Sequence, residues 1–493
     1  MPKMKRRLIW AVLIASFGGA CHSLCAQDRS NCQTFFDSAG TIHTRFDCIG
    51  ALFTEPWIHG TLGSVAPSNG VPLGIELENE SHPITSTEDS YTIHRKLTLV
   101  GSTGLAWGIS GDLMWMVPTK HDDNHKPPCH LHWGICATEV PHVHVNANFS
   151  SVPTIYFYGL GPSSPATQYQ YGENKFGAEV DGTHPLSNWL DIGGELEGVQ
   201  TRLKQDTSIT TIFTEATAPG LSSHSAYLHS SVTLTFHGAS IYEHSTAIQT
   251  SVGKFAVPTA ESAAAAKEAE QIKKAATAAA AETKTPEPPT VKPRLTYSWN
   301  LAASFHEYLA EGDQNYTYKQ FTYTGQRTLD VGGILKRKPH DAAEADFCGH
   351  GLNASCDFGT ITLNSRLVLT DTKNSAAVPF YQQETLGGSD INSLDSLRAY
   401  ENYRFRGPDA AFVQVEYGIR FPLKQDWTAF GPFVFYDAGT VGQQASNLAL
   451  SDWRQDGGFG AFVMFGGSVA VKGYLGAGAG HGVRAGASFN HFF

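Results

Sequence analysis

Apolar and polar residues alternate with a period of two in several stretches of this chain. Tyr297, Trp299, Leu301, Ala303 and Phe305 interleave with Ser298, Asn300, Ala302 and Ser304. Val232, Leu234 and Phe236 interleave with Thr233 and Thr235, and Ile361, Leu363, Leu367 and Leu369 with Thr362, Asn364, Arg366 and Thr370. Ala411, Val413, Val415, Tyr417, Ile419 and Phe421 interleave with Gln414, Glu416 and Arg420. This period marks strands with one face toward an apolar medium and the other toward a polar one. Each run is about ten residues long, the length at which a tilted strand crosses hydrocarbon. A sandwich core would not accept Arg366, Glu416 and Arg420 pointing inward without partners, whereas a wet lumen would. The pattern therefore predicts an all-β chain folded as a transmembrane antiparallel β-barrel.

Turn signals between the runs predict about sixteen strands. They fall near 58–65, 71–79, 91–101, 104–117, 147–159, 168–181, 188–203, 225–237, 296–308, 316–329, 358–371, 410–422, 428–439, 457–466, 469–478 and 483–493. An even count places both ends of the chain on one side of the membrane, the periplasmic side. The long connections 118–146, 238–295 and 332–357 each follow an even-numbered strand, so the same side receives these enlarged turns. The terminal strand has Val483, Ala485, Ala487, Phe489, His491 and Phe493 on its outward face.

Residues 260–282 break the pattern. They are alanine-rich, with Glu270 and Lys274 placed for an i,i+4 pair, which predicts a helix. Ile272 is their one large apolar residue, and Lys267, Glu268, Glu270, Lys273 and Lys274 interrupt them, so they neither pack nor cross a membrane. The stretch 285–293 contains four prolines and reads as a stiff spacer. Residues 250–295 are thus expected to be an insertion of helix plus spacer within a barrel domain covering 58–493.

The N-terminus specifies a compartment. Lys3, Lys5, Arg6 and Arg7 precede the apolar stretch 8–17, and Leu24-Cys25-Ala26 offers a cleavage point, so 1–26 reads as a secretory signal peptide. Gly19-Ala20-Cys21 leaves a lipoprotein processing site as the other reading. Residues 27–57 form a short periplasmic segment in this scheme. Six cysteines follow the leader in three local couples, Cys32 with Cys48, Cys129 with Cys136 and Cys348 with Cys356. In an exported chain these are disulfide candidates, and none has the doubled spacing of a zinc site.

Composition narrows the class further. Charged residues make up 16% of the 493 positions, and 49 glycines and 28 phenylalanines accompany them. A lipid-facing band with aromatic girdles requires this balance. No run of about 20 apolar residues follows the leader, so a helical membrane protein is excluded. The formal charge of −11 becomes −15 once the four basic residues of the leader are removed, which argues against nucleic acid as a partner.

Two chemistries were weighed. His121, His125, His130, His132, His142 and His144 cluster around Cys129 and Cys136. Histidine is the commonest metal ligand, so His121, His125, His130 and His132 are metal candidates. The competing reading is a disulfide-closed loop with solvent-facing histidines, and on balance no cofactor and no metal is expected. For catalysis the chain has no G-x-S-x-G nucleophile elbow and no convincing Ser/His/Asp set, so it is not expected to be an enzyme.

The region from about Val378 to the end resembles the BamA/TamA-type outer-membrane assembly barrels, also called bacterial surface antigens. Leu386-Gly387-Gly388, Leu397-Arg398-Ala399-Tyr400 and Arg404-Phe405-Arg406 resemble the long sixth extracellular loop of that family. Val415-Glu416-Tyr417 with Arg420-Phe421-Pro422 looks like the strand after it, and Phe435-Tyr436-Asp437-Ala438-Gly439 like the next. Upstream, Phe157-Tyr158-Gly159-Leu160-Gly161 resembles a strand end and loop of these barrels. The resemblance implies that Arg398 folds into the lumen and pairs with Glu416 and Asp437, with Tyr400 beside it. It also implies that Phe489 and Phe493 form the C-terminal signal read by the barrel insertion machinery. The family's tip has glycine where this chain has Ala399, so a reshaped tip is expected. Only about 30 residues precede the predicted barrel, fewer than a POTRA module needs, so the resemblance is to the barrel alone.

The function implied is outer-membrane protein assembly, insertion or export. The alternative is a surface antigen or pore-like structural barrel without assembly activity. Outer-membrane lipid and lipopolysaccharide, the insertion machinery and client outer-membrane proteins are the implied partners.

Overall fold

The computed structural model describes residues 58–61, 69–70, 72–81, 92–116, 141–187, 189–204, 212–222, 226–239, 297–331, 359–372, 377–389, 395–419, 421–422, 428–465, 468–478 and 481–489. The signal peptide, the six cysteines, the alanine-rich insertion, His121, His125, His130, His132, Arg420 and Phe493 lie outside them.

The first eleven strands run in chain order: β1 (Ile58–Thr61), β2 (Pro72–Ser81), β3 (Thr92–Ser102), β4 (Trp107–Met116), β5 (His142–Phe157), β6 (Tyr169–Ser187), β7 (Leu190–Lys204), β8 (Ala226–Ala239), β9 (Tyr297–Glu311), β10 (Tyr318–Asp330) and β11 (Thr360–Thr372). Four short strands then lie within one loop: β12 (Glu384–Leu386), β13 (Gly388–Ser389), β14 (Asp395–Ser396) and β15 (Phe405–Gly407). The sheet resumes with β16 (Asp409–Gly418), β17 (Phe421–Pro422), β18 (Thr428–Gly442), β19 (Arg454–Phe465), β20 (Ser468–Gly478) and β21 (His481–Phe489).

Seventeen strands form one sheet. Both β16 and β17 pair with β18, so they are two halves of one strand, and the sheet has sixteen positions. Every neighbour in sequence is an antiparallel neighbour in space, which is the up-and-down order of a membrane barrel. The expected strands all form, and β5 and β6 extend at the end away from the loops, to His142 and Ser187. Among the described residues β1 and β21 do not pair with each other.

Alternation sorts the two faces as the sequence pattern requires. On β7 and β8, Leu196, Leu228, Val232 and Leu234 are exposed, while Glu197, His229 and Ser231 turn the other way. On β18, Val434 and Tyr436 face outward, and Phe433, Phe435 and Asp437 are buried inside. The lumen differs from the expected wet channel in one respect. Val368, Phe412, Phe433, Phe435 and Tyr474 are apolar or aromatic residues on the inner face, and all are buried. They are covered because the chain between β11 and β16 folds down onto them.

The connections after β5, β7, β9 and β11 meet at one end. Gly161 after β5 donates to the Arg406 carbonyl, Phe380 donates to the Pro219 carbonyl after β7, and Ala377 donates to the Asn315 carbonyl after β9. Arg454 reaches the Pro162 carbonyl from the start of β19. The long connections at 117–140, 240–296 and 332–358 lie outside the described residues.

The assignment of faces is testable. Val434→Arg places a charge on the outer face in the middle of β18 and is expected to cost about 2–4 kcal/mol at the bilayer midplane. Thr362→Arg on the lumen face should cost much less. Denaturant unfolding in lipid vesicles reads both, and equal losses would reverse the two faces.

Candidate functional site

The loop from residue 377 to residue 408 builds the site. It descends through a short 3-10 turn (Phe380–Gln382) and pairs β12 with β15, Leu386 opposite Phe405. A second pairing, β13 with β14, narrows the hairpin. Gly387 has φ +116°, and a Cβ there would sit 2.5 Å from the Glu401 carbonyl oxygen, so only glycine fits. The tip is a turn in which the Tyr400 amide donates to the Leu397 carbonyl at 2.9 Å.

The turn aims Arg398 at the wall. Its Nε donates to Asp437 Oδ2 and its Nη2 to Asp437 Oδ1, each at 2.9 Å, a bidentate fork. Its Nη1 donates to Glu416 Oε2 at 2.6 Å, and its backbone amide adds a bond to Asp437 Oδ2 at 3.2 Å. Arg398 and Asp437 are both fully buried. The guanidinium also lies 3.7 Å from the centre of the Phe435 ring, a cation–π contact strengthened by the lack of water. The structure thus brings Arg398, Glu416 and Asp437 together, with Tyr400 buried beside them and 3.4 Å from the Gln455 carbonyl.

Ala399 does not reshape the tip in the expected way. The left-handed backbone falls on Leu397 (φ 41°) and Tyr403 (φ 60°), and Ala399 needs no positive φ. Its amide donates to Asp456 Oδ2 at 2.8 Å. Its methyl group faces Gly476 of β20, where a Cβ would come within 3.2 Å of it. Gly478 makes the same room for Tyr400, whose ring lies 2.9 Å from the position of a Cβ. The side chain gained at the tip is therefore accommodated by side chains missing from the wall.

Further contacts of the site were not foreseen. Lys472 Nζ sits 2.7 Å from both carboxylate oxygens of Glu416, so that acid is shared by two cations. Lys472 stands alone in a Gly/Ala/Val stretch, and only its inward parity could have marked it. Arg366 pairs with Glu384 of β12 at 2.6 Å. Arg406 is fully buried, donating to the Phe380 carbonyl at 2.5 Å and to the Tyr171 hydroxyl at 3.3 Å. Arg404 donates to Ser164 Oγ at 2.7 Å and to the Ser164 carbonyl at 2.8 Å. The Phe157–Gly161 segment is thus a docking ledge for the loop, its two glycines in left-handed backbone and Phe157 packed on Phe380. Phe489 pairs with Val471 at the end of β21.

The neighbouring loop is clipped by Glu215. Its carboxylate accepts from the Tyr316 hydroxyl, the Gly220 amide, and the Ser222 amide and hydroxyl at 3.0 and 2.7 Å. Burial pulls its pKa up, but these donors outweigh it and hold the carboxyl below the usual glutamate range.

No protein-family model matches the chain, and no curated protein matches it in sequence. Among solved structures it is similar to BamA from Haemophilus ducreyi lacking POTRA domains 1–3. That likeness has a TM-score of 0.45 and 12% identity over 88% of this chain and 70% of that one. It is similar to CdiB from Escherichia coli with a TM-score of 0.44 and 10% identity, over 87% of this chain and 62% of that one. For CdiB from Acinetobacter baumannii the TM-score is 0.40 and the identity 9%, over 87% of this chain and 57% of that one. The chain therefore spans less than two thirds of either CdiB chain, and no residue role is taken from these likenesses.

Two outcomes check the site. Arg398→Ala leaves Asp437 and Glu416 facing one another and removes the fork, at an expected cost of about 3–5 kcal/mol. Heat-modifiable mobility on gels should be lost at a lower temperature; an unchanged transition would show that the pairing does not hold the loop. For Glu215, a lowered folded pKa means that its stabilisation is complete above the usual glutamate range. It is lost as pH falls through the folded value. Hydrogen-exchange protection at Gly220 and Ser222 should fall in acid, and Glu215→Gln should reproduce that fall at neutral pH.

Proposed function

We propose that this chain is an outer-membrane barrel of BamA/TamA type that acts in the insertion or export of other outer-membrane proteins. One observation carries the reading: a loop folded into the lumen and held by Arg398 on Asp437 and Glu416. The residue pattern of this loop and of the two strands it meets is the part of the sequence that resembles the assembly barrels. A charged anchor of this cost is hard to explain in an inert wall, because a buried ion pair is a poor source of stability but a good source of specific geometry.

The pore-like alternative is weakened by the same loop. Leu397, Arg398, Ala399 and Tyr400 occupy the lumen and are buried there, which takes up space that a wide solute path would need. On this reading the chain is non-enzymatic, and its partners are membrane lipid and lipopolysaccharide, the insertion machinery that receives its own C-terminal strand, and client barrels.

Depletion followed by a protein profile of the outer membrane separates the readings. Loss of particular barrel proteins is expected, with the remainder unchanged. An unchanged profile combined with altered solute uptake would favour the structural pore and overturn the proposal.

A further inference from the structure

Two clusters of histidine and carboxylate line the inner face, away from the loop tip. The first is His144 with Asp112, Glu179 and Asp181. The second is His229 with Glu195 and Glu197. They look alike in sequence but differ in geometry, and the difference decides which of them can take an ion.

His144 is already satisfied. Its Nδ1 lies 2.7 Å from Asp181 Oδ1 and its Nε2 3.2 Å from Asp112 Oδ1. Both ring nitrogens have hydrogen-bond partners, and the shorter contact is too close for two ligands of one metal ion. Ligand atoms at 2.0–2.2 Å from a tetrahedral zinc-class ion stand roughly 3.3–3.6 Å apart. This cluster is a closed ion-pair network.

His229 is different. Its side chain is 5% exposed, and its Nδ1 stands 3.2 Å from Glu195 Oε1 and 3.3 Å from Glu197 Oε2. Despite those distances, that nitrogen makes no hydrogen bond. The ring thus meets both carboxylates at ion-pair distance without an aligned hydrogen bond from that nitrogen. The two separations from that nitrogen are close to the edges of such a coordination tetrahedron. The strand register explains how they arise: Glu197 lies directly opposite His229, and Glu195 is two residues along on the same face of β7.

The surroundings are those of a prepared ligand. His229 Nε2 is 3.0 Å from His306 Nδ1. Coordination through Nδ1 would leave Nε2 as the donor of that bond, the arrangement in which a second group fixes the tautomer of a metal-bound histidine. Ser231 donates to Glu195 Oε2 at 3.1 Å, leaving Oε1 for the ion. The His229 ring is stacked on Tyr308 at 4.2 Å, and Tyr308 on Tyr318 at 4.4 Å, so its rotamer is fixed by packing.

We propose that Glu195, Glu197 and His229 bind a divalent transition-metal ion of the zinc class on the lumen wall, with His306 orienting His229. Three protein ligands would leave a fourth position for water or an exchangeable ligand. The site lies apart from Arg398 and does not depend on an assembly role. The tyrosine stack connects it to the descending loop, since Tyr318 donates to Gln382 at 3.3 Å.

The test uses the full chain folded in detergent micelles, stripped with a chelator and titrated with Co2+. One equivalent should give the intense visible bands of a tetrahedral ion, and Zn2+ should displace it. His229→Gln and Glu197→Gln should each abolish the bands, while His306→Phe should weaken binding by about 10–100-fold. His144→Gln should leave the bands intact. A quadruple variant, His121→Asn, His125→Asn, His130→Asn and His132→Asn, should also retain them, which excludes that histidine-rich segment as their source. Heat-modifiable mobility on gels verifies folding, and Glu197→Gln stands in if His229→Gln fails to fold. Absence of tetrahedral bands in the parent chain, their persistence in a folded His229→Gln or Glu197→Gln variant, or their loss in the quadruple variant would each overturn the proposal.

Discussion

The forked bond between Arg398 and Asp437 is the constraint around which the lumen is organised. An arginine with no exposure must have its charge and its donors matched, or it would not remain inside. Asp437 supplies two parallel acceptors, Glu416 a third, and Phe435 a ring face. The consequence spreads outward from there. Glu416 would carry unbalanced charge without Lys472, so a cation from β20 is required on the far side of the same acid. Asp456 then accepts the next amide of the turn, at Ala399, and the tip is fixed by three strands at once.

Such a cluster alone would give little net stability, because desolvation offsets most of the attraction. The packing around it supplies the favourable term. Leu386, Leu397, Tyr400 and Phe405 of the loop pack with Val368, Phe412 and Val441 of the wall. A second group joins Phe380 and Tyr381 to Phe157, Tyr171 and Ala218. A barrel wall has no core of its own, since one face meets lipid and the other meets the lumen. Here the loop provides that core, and the glycines at 476 and 478 provide the space for it.

The strands were legible in the sequence because lipid imposes a strict period of two on one face of each of them. The anchor was legible for another reason: the residue pattern around Arg398, Glu416 and Asp437 resembles a known family of barrels. What was not legible follows from distance in the fold. Lys472 meets Glu416 from three sheet positions away, and no local pattern encodes such a meeting. The inner-face aromatics were hidden because Phe412, Phe433 and Phe435 alternate with outward apolar residues, so period two gives no contrast there. The room for the Ala399 methyl group comes from Gly476, on another strand, which no local pattern around the tip reveals. The reading of local residues therefore gave the wall, and the contents of the wall depended on pairs that only the fold assembles.

The loop also braces the sheet. Adjacent strands are held by long ladders, but β1 has four residues and makes no pairing with β21 among the described residues. The described ladders end at β1 and β21, and the loop adds contacts between strands that lie far apart in the sheet. The loop does so through the lumen. Arg406 engages Tyr171 on β6, while Asn402 accepts from Arg484 on β21 at 3.0 Å, and these strands are far apart in the sheet. Between them, Arg366, Asp437 and Asp456 bind the loop from β11, β18 and β19. Each contact is a charge-assisted bond whose alternative partner, water, is largely excluded. The loop thus braces β6, β11, β18, β19 and β21 from inside the lumen, in addition to the ladders that join neighbouring strands.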